Sequence, residues 1–132
     1  MACKIHHINL IVRDLAAAVC IYERILGQPV TRRDHLSGRG VDIARFKLGD
    51  TWLILVQPVK QGTEPARFLD ENGDGFFLLA FDVESVADAV QASGVPTQGP
   101  SRDGLDDWHI QDLDVAATFG AQIQYSEHRS DK

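Results

Sequence analysis

Residues 6–15, HHINLIVRDL, run from an apolar strand pattern into a polar break and a helix start. Extended back to Lys4 and read as far as Val12, the stretch KIHHINLIV is rich in β-branched residues, the composition of a strand. Asp14 then stands where an N-cap is needed for LAAAVCIYERIL, and Gly27 stands where that helix must stop. Leu15, Ala18, Val19, Tyr22 and Leu26 recur at helical spacing, so one stripe faces a core. Three strand-like runs follow, QPVTRRDH, GVDIARFKL and TWLILVQP. Gly38 and Gly40 mark the first turn between them, and Gly49-Asp50 the second.

The same order then returns. FFLLAFDV reads as a strand, VESVADAVQASG as a helix ending at Gly94, and VPTQGP, WHIQDL and GAQIQYSE as three more strands. Sliding the first half by 71 residues lays His7 on Leu78, Leu15 on Val86, Ala18 on Ala89 and Val19 on Val90. Near each half's end a shift of 70 lays Ile54 on Gln124 and Leu55 on Tyr125. Element order and helix stripe both recur, the signature of an internal repeat. The expected fold is α+β: two tandem βαβββ modules forming a curved, cup-like eight-stranded sheet with one helix per module outside. One domain spans 1–132, with module 1 over about 3–58, a connection over about 59–75 holding a short helical turn, and module 2 over about 76–127.

A chain of 132 residues buries roughly two thirds of the surface it exposes when unfolded, enough for its own core. The formal net charge of −6 opposes binding to a nucleic-acid backbone. No apolar run approaches the length of a membrane span, and MACKIHH has no long apolar signal region. Cys3 and Cys20 form no disulfide or zinc pattern; Cys20, beside Val19 and Ile21, reads as a core thiol. These features point to a cytoplasmic protein.

Several stretches together resemble the vicinal oxygen chelate superfamily, which includes glyoxalase I, bleomycin-resistance proteins, extradiol dioxygenases and methylmalonyl-CoA epimerase. They are HHINLIVRDL with Tyr22 and Leu26-Gly27, FKLGDTWLILVQP, ARFLDENGDG, LLAFDV and Thr118-Phe119-Gly120. FLDENGDG and Gly49-Asp50-Thr51 look most like the epimerase branch. The resemblance implies a divalent metal held by four side chains, from the first and last strand of each module, since alternation turns every second side chain into the cup.

Carried over position by position, the first ligand is His7, the second falls on Ile54, the third on Leu78 and the fourth on Gln124. Ile and Leu have no lone pair, so one imidazole and one amide remain, short of the three or four ligands a tight site needs. The epimerase base, a Glu ahead of the third strand, is replaced around Gly38 and Arg39. The expectation is therefore a degenerate metal site and no cofactor.

What is left reads as a small-molecule pocket lined by His7, Asn9, Trp52, Ile54, Leu78, Gln122 and Gln124, mostly apolar with a few polar groups. The alternative is a cup filled by Trp52, Ile54 and Leu78. His7 reads either as a general base or as an imidazole satisfied by Asn9 or Gln124. His6 is expected to point to the helix side or the edge, and His35, His109 and His128 to lie at the surface or an interface. Arg32, Arg33 and Arg39 read as an anion contact or as a solvated hairpin. Asp103, Asp106 and Asp107 read as a turn. Beside a purely structural role, with a filled cup and the function at a dimer surface, two functions remain open. One is a metal-free small-molecule-binding protein of the bleomycin-resistance kind. The other is an epimerase, isomerase or lyase of the glyoxalase or methylmalonyl-CoA epimerase type, acting on a thioester or carbonyl substrate. Expected partners are a small organic ligand and a second copy in a homodimer, with no nucleic acid and no membrane.

Overall fold

The computed structural model describes residues 3–128. Its elements are β1 (Lys4–Ile11), α1 (Leu15–Leu26), β2 (Arg32–Leu36), β3 (Val41–Leu48), β4 (Thr51–Pro58), α2 (Glu64–Asn72), β5 (Gly75–Asp82), α3 (Val86–Ser93), β6 (Thr97–Asp103), β7 (Trp108–Leu113) and β8 (Ile123–His128). Eight strands and three helices in this order are the α+β tandem βαβββ fold expected. The chain divides into two compact units: Ile8–Phe77, and the described residues before and after that segment. In the first the strands lie in the order β2-β3-β4-β1, and in the second β6-β7-β8-β5, so the repeat extends to topology.

In unit Ile8–Phe77, Asp14 accepts from the Ala17 N–H at 3.1 Å and caps α1. Gly27, at φ 67°, ends it in the left-handed conformation that costs a residue with Cβ. The expected stripe is the buried one. Leu15 and Val19 pack with Ala44, Phe46 and Leu55, and Ala18, Tyr22 and Leu26 flank them. Each fully buried aliphatic here contributes roughly 1.5–3 kcal/mol. Cys20 falls off that stripe and is exposed, which corrects the core-thiol expectation. Residues 59–75 hold more than a turn: α2 runs nine residues from its Thr63 cap. The strand expected from Gln28 begins only at Arg32, because Pro29 has no N–H for a ladder.

In the other unit, β5 pairs β8 in parallel and β7 pairs both β8 and β6 antiparallel. The β6–β7 register shifts between Gln98 and Arg102, and β6 is exposed along its length. Ser85 caps α3, whose Val86 and Ala89 pack with Val83, Val90 and Tyr125.

Both units share one latch. The first N–H of α1, on Leu15, donates to Gln57 Oε1 of β4 at 2.7 Å. The first N–H of α3, on Val86, donates to Glu127 Oε1 of β8 at 2.6 Å. An orphan N–H at a helix start needs an acceptor, and the last strand of each repeat supplies one at the repeat spacing.

Candidate functional site

In unit Ile8–Phe77 the sheet face away from α1 is set by register. Arg45 lies opposite Ile54 and Lys47 opposite Trp52, whereas Ala44 and Phe46 point to the helix. Ile54 is buried and Trp52 half-buried. Arg45 is only 1% exposed; its guanidinium pairs with Asp34 at 3.2 Å and lies 4.9 Å from the Trp52 ring centroid. The Lys47 ammonium lies over the same ring at 4.8 Å. A buried guanidinium needs such partners to offset its lost hydration. Arg45 was not singled out from the sequence. The signal was a charge inside the apolar run GVDIARFKL.

Arg32 pairs with Asp34 at 3.4 Å, and Arg32, Arg33 and Arg39 are all exposed. Arg32 and Arg33 are neighbours on one strand, so they point to opposite faces and do not gather. His35 is exposed and bonds Asp42. Asn9 is half-buried, and its Oδ1 is enclosed without a hydrogen-bond partner.

In the second unit, Gln124 lies opposite Asp112 on one side and Ala80 on the other, placing Leu78 on the same face. Gln124 is 4% exposed. Its Nε2 donates to Asp112 Oδ1 at 2.9 Å, and Asp112 is in turn paired with Arg102. That bond fixes the amide: the NH2 must face the carboxylate, so the oxygen faces away. Gln124 Oε1 is then a buried acceptor with no partner, and so is the hydroxyl of Ser126, whose residue is 0% exposed. Leu78 and Gln122 are half-buried.

The histidines depart most from expectation. His6 is 2% exposed and His7 4%. His6 Nδ1 lies 2.8 Å from His7 Nδ1, and His6 Nε2 lies 3.1 Å from His128 Nε2. His128 Nδ1 lies 3.6 Å from Asp107 Oδ1. Trp108 stacks on His7, centroids 5.1 Å apart and planes at 15°, and meets His6 edge-on at 4.4 Å. His6 is thus enclosed among His7, Trp108 and His128, and His128 is exposed, as expected, while touching His6. His7's neighbour in this unit is His6. His109 bonds Asp103 at 3.1 Å away from this group.

The four positions that the resemblance assigns to a metal are Ile54 in one unit and His7, Leu78 and Gln124 in the other. Ile54 and Leu78 carry hydrocarbon side chains, and the Gln124 amide donates to Asp112. Among the described residues no group of three His, Cys, Asp or Glu side chains is placed to hold a metal. No helix of the described residues is long and apolar enough to cross a membrane.

Comparison with known proteins places these features. Human mitochondrial methylmalonyl-CoA epimerase is 30% identical over 88 residues, 66% of this chain and 50% of that protein, so the chain spans half the length of that relative. A Streptomyces coelicolor methylmalonyl-CoA epimerase in complex with 2-nitronate-propionyl-CoA superposes with a TM-score of 0.86 at 26% identity, covering 96% of this chain and 95% of that one. A hypothetical protein from Bacillus halodurans C-125 superposes with a TM-score of 0.91 at 20% identity, over 100% of this chain and 99% of that one, and shares the fold. The family model described as Glyoxalase/Bleomycin resistance protein/Dioxygenase superfamily matches residues 4–107, and the chain belongs to that superfamily.

Proposed function

We propose that the protein binds a small organic molecule without the divalent metal its superfamily commonly uses, and that the ligand offers O–H or N–H donors from an otherwise apolar body. One observation carries this reading. Gln124 Oε1 and Ser126 Oγ are buried and unpartnered, although such atoms almost always find partners. Gln124 stands where the resemblance puts a metal ligand, and a donor from a bound molecule would relieve it. Leu78, at another ligand position of the same unit and on the face of Gln124, suits an apolar body and not a cation.

A second reading is favoured by the epimerases among the relatives: an epimerase, isomerase or lyase acting on a thioester or carbonyl compound, with His7 moving the proton. Two further expectations belong here. Exposed, unpaired Cys3 and Cys20 support a reducing, cytoplasmic setting. The exposed strand β6 supports a homodimer that covers it.

The test combines metal analysis of purified protein with thermal shift against a panel of apolar hydroxy and amide compounds. Substoichiometric metal and a rise in Tm with one compound class support the binding reading. Stoichiometric metal after purification overturns it. Deuterium exchange from solvent into methylmalonyl-CoA, abolished by His7→Ala, would establish the enzyme instead.

A further inference from the structure

We propose that Asp107, His128 and His6 are positioning residues: the Asp107 charge orients His128, and hydrogen bonds from His128 through His6 hold His7 as its Nδ1–H tautomer, with the lone pair on Nε2. A neutral imidazole has one N–H and one lone pair, so a line of imidazoles can point only one way at a time. An ionised carboxylate only accepts. It therefore turns His128 Nδ1–H toward Asp107 Oδ1, 3.6 Å away, because the opposite choice would set a lone pair against a negative charge. His128 Nε2 must then accept, and His6 Nε2–H donates to it across 3.1 Å. That leaves His6 Nδ1 as an acceptor, and His7 Nδ1–H donates to it across 2.8 Å.

Packing keeps the rings in line. Trp108 stacks on His7 and meets His6 edge-on, and it lies directly opposite His128 in the β7–β8 register. All three imidazoles are thus tied to one buried indole. His6 and His7 are almost wholly enclosed, so water does not compete along their bond.

The consequence is chemical. With its proton on Nδ1, His7 offers at Nε2 a lone pair, able to accept a hydrogen bond or a proton. The other tautomer would offer an N–H at the same place, suited to a different partner. The series sets that choice 122 residues away in sequence, and it does so whether or not the ligand proposed above exists.

The test uses full-length protein labelled with ¹⁵N-histidine and a long-range ¹H–¹⁵N correlation spectrum at about pH 8.5, roughly two units above the ordinary imidazole value. The wild-type spectrum should show His7 with its proton on Nδ1. His6→Phe keeps an aromatic ring against Trp108 but removes both nitrogens, and should move the His7 proton to Nε2 or to a mixture. Asp107→Ala, at the far end of the series, removes the charge that orients His128 and should lower the Nδ1–H excess at His7 about threefold to fivefold. A wild-type His7 protonated on Nε2 overturns the proposal, and that measurement needs no substitution. An unchanged His7 tautomer in folded His6→Phe or Asp107→Ala overturns it equally.

Discussion

Ser126→Ala should make the protein more stable, an unusual outcome for a fully enclosed position. The Ser126 hydroxyl lies opposite Ile110 on β7 and Asp82 on β5, and its Oγ has no hydrogen-bond partner. Holding such a group away from water costs roughly 1–3 kcal/mol. Alanine removes that cost and leaves a void of one oxygen, roughly 10–15 Å³, worth about 0.3 kcal/mol at the usual cavity cost. The net expectation is a stabilisation of about 1–2 kcal/mol. For a chain this long that is a rise in Tm of about 4–8 °C. Urea denaturation followed by circular dichroism measures it, the midpoint rising at constant slope. Most core substitutions destabilise by about 1 kcal/mol, so the sign alone discriminates. A neutral or destabilising result refutes the reasoning, because it means that Oγ is satisfied in solution. The same variant should bind less well any ligand that relies on this hydroxyl, so stability and binding should move in opposite directions.

Other substitutions probe other links. Asp34→Ala strips a carboxylate from the buried Arg45 and should cost about 2–4 kcal/mol by chemical denaturation, whereas Arg32→Ala, on the exposed side of the same carboxylate, should cost under about 1 kcal/mol. Gln57→Ala removes the acceptor for the Leu15 N–H and should cost about 1–2 kcal/mol, with hydrogen exchange accelerated at Leu15. Gln57→Glu puts in the first repeat the charge that Glu127 supplies in the second, and should add about 0.3–1 kcal/mol at neutral pH and low salt.

The fold was legible because its punctuation is local. Asp14, Gly27 and Gly94 act through bonds to residues three or four away, and each residue type has few ways to do so. The repeat spacing added long-range information, since it aligned elements no single window could connect. Side-chain sites were less legible. Cys20 was misplaced because its sequence neighbours are apolar, although helical geometry turns it about 100° off the buried stripe. His128 was unreadable for a different reason: its partner His6 is 122 positions away, and no spacing rule links a first strand to a last one. The three arginines of TRRDHLSGRG looked like a cluster in one dimension, but strand alternation separates two of them. Arg45, alone in an apolar run, was the buried one.

The division of the chain at Ile8 and Phe77 means that the middle segment sits as an insertion within the other unit, whose strand set needs residues from both ends. A head-to-tail exchange between relatives at the repeat boundary would part the two leading imidazoles from the indole they lie against. Chimaeras that swap Ile8–Phe77 as one cassette keep that grouping, and should be the ones recovered from a shuffled library.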